Sequence, residues 1–128
     1  MTGGAGFIGS ALVRYLVAEL GHEVHNVDKL TYAANLRALD AVAGDPRYSF
    51  AQVDILDRER LQELFAGFRP DGVFHLAAET HVDRSITGPE VFVETNVMGT
   101  QRLLSAARHY IAEGAPEPFR FLHVSTDE

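Results

Sequence analysis

Apolar positions along the chain switch repeatedly between a helical and an extended period. Ile8, Ala11, Leu12, Tyr15, Leu16 and Leu20 fall at helical spacing, and Gly21 follows where a left-handed cap is common, so a helix is predicted over 8–20. Residues 23–27 read as a short strand ending at Asp28, followed by a loop and a second amphipathic helical stretch carrying Leu36, Leu39 and Val42, which Gly44 and Pro46 stop. The alternation then repeats. A strand is predicted over 48–53, a helix capped by Asp57 and bearing Leu61, Leu64 and Phe65, a strand over 72–76, a long helix over 91–110, and a strand over 119–124. Parallel neighbours need crossover connections, so strict strand–helix alternation predicts an α/β fold: a doubly wound, Rossmann-type parallel sheet with helices on both faces. The near-continuous apolar character of the strands fits cover on both sides.

Composition narrows the class. The 128 residues are 46% apolar and 23% charged, as expected of one soluble domain, and 11 basic against 18 acidic side chains give a net charge of -7. That balance argues against a nucleic-acid surface, which needs clustered Lys and Arg. Zero cysteines exclude disulfides, thiolate metal sites and a cysteine nucleophile, and a reducing cytoplasmic setting is the default. No apolar run approaches the roughly 20 residues that cross a bilayer, and the first ten residues lack the pattern of a signal peptide. No pair of histidines has metal-site spacing, so no metal is expected. His75 and His123 sit in apolar strands, where hydrogen-bonded core residues are commoner than ligands.

The candidate chemistry lies where strands end. Gly3, Gly4, Gly6 and Gly9 satisfy two overlapping phosphate-loop patterns directly before the first helix, whose unpaired amino-terminal amides suit a pyrophosphate; Phe7 and Ile8 are expected to pack the loop against the sheet. A glycine-rich turn without a ligand would share that pattern. Asp28 stands 19 positions after Gly9 at a predicted strand end, where a carboxylate accepts from both ribose hydroxyls and repels a 2′-phosphate, favouring NAD over NADP. The adjacent Lys29 weakens that discrimination. Asp54, after the next strand, can receive an adenine amino group or simply shape a turn. Ala77 and Ala78 would let a cofactor pass close to the backbone, and Glu79, Thr80, His81, Asp83, Arg84 and Ser85 form a polar run on the same edge. At the chain's end the neighbouring carboxyls of Asp127 and Glu128 follow Ser125 and Thr126, either as an acid–base pair with pKa values pushed apart or as an acidic helix start.

The segments TGGAGFIGS, VDKLTYAANL, HLAAETHVDRSI, ETNVMGT and HVSTDE, in this order, resemble the amino-terminal part of the dTDP-glucose 4,6-dehydratase family of extended short-chain dehydrogenase/reductases. The resemblance covers essentially the whole chain and less than half of the family's length. It implies that Phe7 and Ile8 lie in the dinucleotide loop, that Asp28, Lys29, Leu30 and Thr31 hold the adenosine, and that Asp54 and Ile55 flank the adenine. It further implies that Leu76, Ala77, Ala78, Glu79 and Thr95 line the rest of NAD. Thr80 and Thr126 would contact the hexose or its phosphate, Thr80 standing where the family has a serine. In the implied reaction hydride leaves sugar carbon 4, Glu128 removes the acidified proton on carbon 5, Asp127 protonates the hydroxyl leaving carbon 6, and the hydride returns to carbon 6. A nucleotide-sugar substrate, a tightly held and recycled NAD, and a homodimer formed through the long helix are implied in the same way. Alternatives of the same architecture are a nucleotide-sugar 4-epimerase or decarboxylase, from which the paired Asp127 and Glu128 discriminate, and a non-catalytic NAD-binding domain. Only Met1 and Thr2 precede the glycines, so residues 1–128 are expected to form a partial NAD-binding Rossmann domain without its first strand, leaving two buried strand edges unpaired. The family's YxxxK tyrosine and lysine are not among these residues, nor is a substrate domain. The 128-residue polypeptide is therefore expected to show no turnover alone.

Overall fold

The computed structural model describes residues 1–80, 86 and 88–125. Helix α1 (Phe7–Arg14) starts at Gly6, an amino-terminal cap with no side-chain hydrogen bond, and runs without a break into a wider π-helical turn over Tyr15–Glu19. The helix predicted over 8–20 is therefore present. Strand β1 (Val24–Asp28) pairs in parallel with β2 (Tyr48–Gln52), Val24 opposite Tyr48 and Asp28 opposite Gln52. The second amphipathic stretch is shorter than its pattern predicts: only Leu36–Leu39 forms a 3-10 turn, capped by the Asn35 side chain accepting from the Arg37 amide. Leu39 and Val42 are nonetheless buried. Burial alone produces their spacing, and four residues are too few to propagate an α-helix.

Helix α2 (Arg58–Phe68) begins as predicted at Asp57, whose carboxylate accepts from the Arg60 amide. Strand β3 (Gly72–His75) pairs in parallel with β4 (Arg120–His123), Gly72 opposite Arg120 and His75 opposite His123. Between them runs one helical rod made of α3 (Pro89–Phe92), a π-helical segment over Val93–Gly99, and α4 (Thr100–Ala112).

Met1 and Thr2 join the two strand pairs. Thr2 bridges Val27 and His75, both in parallel. The Thr2 amide donates to Phe74 O at 2.9 Å, Leu76 N to Thr2 O at 3.1 Å, Gly3 N to Val27 O at 3.0 Å and Val27 N to Met1 O at 2.8 Å. Two residues thus occupy the central strand position, giving the spatial order β2, β1, Met1–Thr2, β3, β4. The expectation of wholly unpaired inner edges is corrected at this end of the sheet. Toward the strands' amino ends β1 and β3 border a cavity of about 580 Å³ lined by Val24, His25, Phe65, Phe68 and Phe74, among others.

Two cores flank the sheet. Val13 and Val17 of α1 pack with Val24, Leu39 and Val42, while Leu61 and Phe65 of α2 pack with Val73 and with Leu103, Ala106, Ala107 and Tyr110 of α4. Alternation along β1 assigns them to opposite faces: Val24 belongs to the first, whereas the adjacent His25 stacks on Phe68 of α2 at 5.1 Å. Not all strands are covered on both sides, contrary to their apolar sequence. Leu122 of β4 and the following Val124 are exposed. His123 is exposed too, stacked on His75 at 4.7 Å, while His75 is the hydrogen-bonded core histidine expected.

Candidate functional site

Because every strand pair is parallel, the chain leaves all strands at one rim, and that rim carries an open cleft. Its floor and walls come from Gly3 and Gly6, from Val27, Asp28 and Lys29 at the end of β1, and from Thr31, Ala33 and Ala34 in the loop beyond. Val53 and Ile55 after β2, Leu76, Ala77, Ala78 and Glu79 after β3, and Thr95 complete it. The structure thus brings together ten residues singled out from sequence: Gly3, Gly6, Asp28, Lys29, Thr31, Ile55, Leu76, Ala77, Ala78 and Glu79. Thr95 joins them from 16 residues further along the chain.

The glycines divide by what surrounds them. Gly3 has φ +72°, and a Cβ there would lie 2.6 Å from Ala77 N. A Cβ on Gly4 or Gly9 would lie 2.1 Å from Asn26 Oδ1 or Gly3 O respectively. Folding alone therefore demands these three. Gly6 differs: its φ is -77°, which any residue adopts, and a Cβ would meet only Gly3 O at 3.3 Å. A shift of a few tenths of an ångström would admit a side chain at this position, which faces the cleft beside the first-turn amides of Phe7, Ile8 and Gly9, for which an α-helix has no internal acceptor.

Phe7 and Ile8 do not pack the loop against the sheet as expected. They are 95% and 65% exposed, because the first two helical positions project away from the sheet, and the buried Ala5 fills the inner place. What the first helical turn offers the cleft is backbone.

Asp28 does more than line the cleft. Its Oδ2 accepts from the Ala5 amide at 3.0 Å and its Oδ1 from Leu30 N at 2.8 Å, so one carboxylate fastens the glycine loop and turns the chain into the following loop. Leu30 there has φ 61°. Asn35 N donates to Ala5 O at 2.8 Å and closes that loop over the glycines. Lys29 Nζ lies 3.5 Å from Asp54 Oδ2, so its charge is balanced locally and competes less with Asp28. Asp54 also shapes its own turn, Oδ1 accepting from Leu56 N at 2.9 Å.

Thr95 supplies a different signal. It is buried, and its Oγ1 is one of three buried side-chain atoms without a hydrogen-bond partner among the described residues, with His25 Nε2 and Asn26 Oδ1. Leaving a hydroxyl buried and unpaired costs about 1–3 kcal/mol, so an orphan on a cleft wall points to an occupant. Thr80 is exposed at the rim just past Glu79. His81, Asp83, Arg84 and Ser85, the hexose-contact candidate Thr126, and the acid–base candidates Asp127 and Glu128 lie outside the described residues. The path toward the latter is set as far as Val124, whose amide donates to His75 O at 3.0 Å, and Ser125, beyond the carboxyl end of β4 at the cleft's rim.

Sequence reasoning missed Val27, Ala33, Ala34 and Val53, which line the cleft, and Tyr32, whose hydroxyl donates to Glu79 Oε2 at 3.2 Å. It also gave no role to Asn96, which holds the backbone of Glu79. The small apolar pair after Tyr32 was the one available signal for a close approach. Among the described residues no group of three or more His, Asp or Glu is placed to hold a metal ion, and no helix is long and apolar enough to cross a membrane.

A parallel sheet in this order, with a glycine turn and a strand-end carboxylate at the rim, defines a Rossmann-type α/β domain. Its family follows from comparison. The family described as GDP-mannose 4,6 dehydratase matches residues 1–128, and the chain belongs to that family. It is 56% identical over 131 aligned residues to a dTDP-glucose 4,6-dehydratase of Neisseria meningitidis and 57% to a probable one of Sinorhizobium fredii, covering 100% of this chain and 37% of either relative. The chain thus spans little more than a third of their length. Among solved structures it is similar to a double mutant of DesIV, a dTDP-glucose 4,6-dehydratase from Streptomyces venezuelae with NAD bound (TM-score 0.85, 48% identity, 98% of this chain, 38% of that one). It is also similar to a UDP-glucose 4-epimerase from Thermotoga maritima (TM-score 0.82, 35% identity, 98% of this chain, 36% of that one).

Proposed function

We propose that this chain is the NAD-binding part of a dTDP-glucose 4,6-dehydratase, a lyase of nucleotide-sugar metabolism that holds and recycles its cofactor. The observation that carries the proposal is the cleft itself: Gly6, the least crowded of the four loop glycines, the Asp28 carboxylate and the orphaned Thr95 hydroxyl meet in one groove. A dinucleotide fits that donor set. The first-turn amides suit its pyrophosphate, Asp28 a ribose diol, Ala77 and Ala78 a close passage, and Thr95 a hydroxyl or amide of the ligand. When bound, NAD supplies reversible hydride acceptance; the chain's own residues bind and orient it. Thr80 and Thr126 are assigned to the hexose, Asp127 to protonating the hydroxyl that leaves carbon 6, and Glu128 to taking the proton from carbon 5. The curated relatives at 56–57% identity carry the names of dehydratases, which favours dehydration over epimerisation.

Residues 1–128 are assigned to a partial Rossmann domain that is inactive alone. The homodimer reading is supported by exposed Val93, Val97, Leu104 and Ile111 along the long helical rod, and a reducing cytoplasm by the absence of cysteine. The test is to express the protein from its complete gene, titrate NAD, then supply dTDP-glucose. NAD binding with formation of a 4-keto-6-deoxy sugar is expected, while binding without product would favour a non-catalytic NAD domain.

Specificity between cofactors gives a second check. Asp28→Asn keeps the shape and one of the two acceptor oxygens, turns the other into an amide donor, and removes the charge that repels a 2′-phosphate. The NAD to NADP preference is expected to fall by about tenfold, measured as the ratio of dissociation constants. An unchanged ratio would remove Asp28 from the ribose.

A further inference from the structure

The backbone of Glu79 is gripped by one side chain from the long helical rod. The Glu79 amide donates to Asn96 Oδ1 at 2.8 Å, and Asn96 Nδ2 donates to Glu79 O at 2.9 Å. A carboxamide making both bonds to one residue satisfies donor and acceptor together and holds the two peptide groups that flank its Cα, as a strand partner would. Strand pairing has ended four residues earlier, at His75. Asn96 therefore replaces the missing ladder where the chain emerges between the cleft and Thr80. It sits in the π-helical stretch Val93–Gly99, beside Thr95, and a widened turn of this kind is characteristic of helices that carry a site. Adjacent positions on that turn serve the cleft in different ways: Thr95 borders it with a free hydroxyl, and Asn96 holds its opposite wall. The Glu79 side chain is tied separately by Tyr32 across the cleft.

We infer that Asn96 is a positioning residue for the sugar: by clamping the Glu79 peptide it sets the place of the Thr80 hydroxyl relative to the bound cofactor. This rests on the reading above that Thr80 touches the hexose. Most of the groove lies outside the clamp's reach, since Gly6, Asp28 and Ile55 belong to other elements. Losing the clamp should therefore affect the sugar step more than the hold on NAD.

The test uses the protein expressed from its complete gene, with Asn96→Leu, which removes both bonds at similar volume, and Asn96→Asp, which keeps the acceptor and drops the donor. Three quantities are read: amide hydrogen exchange at Glu79, the NAD dissociation constant, and kcat/KM for dTDP-glucose. Asn96→Leu is expected to lose about tenfold in protection at Glu79 and about tenfold in kcat/KM, with NAD affinity within about threefold of wild type. Asn96→Asp should recover the protection and part of the turnover, and it carries the test if the leucine variant fails to fold. Unchanged exchange at Glu79 would overturn the proposal. So would NAD affinity and kcat/KM falling together in step with the thermal midpoint, the mark of a merely structural residue. If the wild-type protein does not act on dTDP-glucose, the dehydratase reading fails by itself, and exchange at Glu79 still decides the clamp.

Discussion

Gly9→Ala is expected to unfold the chain or come close to it, whereas Gly6→Val should leave the fold standing and abolish its use. At position 9 a methyl group would sit 2.1 Å from Gly3 O and 2.9 Å from Gly4 Cα, and both are backbone atoms of a loop that Asp28 and Asn35 pin from the other side. Helix propensity works against this loss, since alanine gains about 1 kcal/mol over glycine inside a helix. A clash with fixed backbone costs more, about 3 kcal/mol or above, so the net sign is destabilising. At position 6 the balance reverses. The backbone conformation suits any residue and a Cβ meets a single atom, so valine costs about 1 kcal/mol, chiefly as a poor helix cap. Its two methyl groups would stand where a pyrophosphate must approach the first-turn amides, and NAD affinity is expected to fall by about a hundredfold. Urea denaturation and NAD titration of both variants separate the effects. A Gly9→Ala protein within 1 kcal/mol of wild type, or a Gly6→Val protein with unaltered NAD affinity, would refute the division of glycines into fold and ligand positions.

Legibility of the chain followed the range of the forces involved. Helices over 8–20 and from Asp57 onward were readable because a local period and a local cap specify them, and parallel order followed from alternation. The stretch around Leu39 and Val42 misled because a buried pair at helical spacing needs burial, not a helix. Phe7 and Ile8 misled in the opposite sense: apolar letters beside a core do not say which way the first turn of a helix faces. Contacts that join distant segments left no trace in the letters. Asn96 gripping Glu79 over 17 residues, Tyr32 reaching Glu79 over 47, and Thr2 completing a sheet between Val27 and His75 depend on how separate units dock. The cleft was legible to the extent that strand ends were, since a parallel sheet gathers them at one rim whatever the loops contain.

One of those long-range contacts carries the second large effect. Acid should destabilise the fold through His75, whose burial, with smaller contributions from the neighbouring His123 ring and the amino terminus, lowers its pKa from 6.5 to about 4. The ring is 0% exposed and spans the sheet centre, with Nδ1 2.6 Å from Thr2 Oγ1 and Nε2 2.9 Å from Thr100 Oγ1. A neutral ring protonated on Nε2 satisfies both partners: the Thr2 hydroxyl donates to Nδ1, and Nε2–H donates to Thr100. Thr2 Oγ1 in turn accepts from Ala77 N at 3.4 Å, so the ring ties the central backbone to the cleft's alanines and to α4. The unfolded chain takes up this proton near pH 6.5 and the native one only near 4, so the stabilisation is complete above pH 6.5 and is lost as pH falls through 4. A difference of that size corresponds to about 3 kcal/mol. The buried amino terminus, lowered from 8.0 to about 5 by desolvation, acts with the same sign over a higher window and must be separated from it. His75→Gln does so: it keeps a donor and an acceptor, removes the titration and leaves the amino terminus in place. Between pH 7 and pH 4 the wild-type protein is expected to lose about 3 kcal/mol more than this variant in urea denaturation. Equal losses in the two proteins would show that the ring at the sheet's centre does not govern the acid limit.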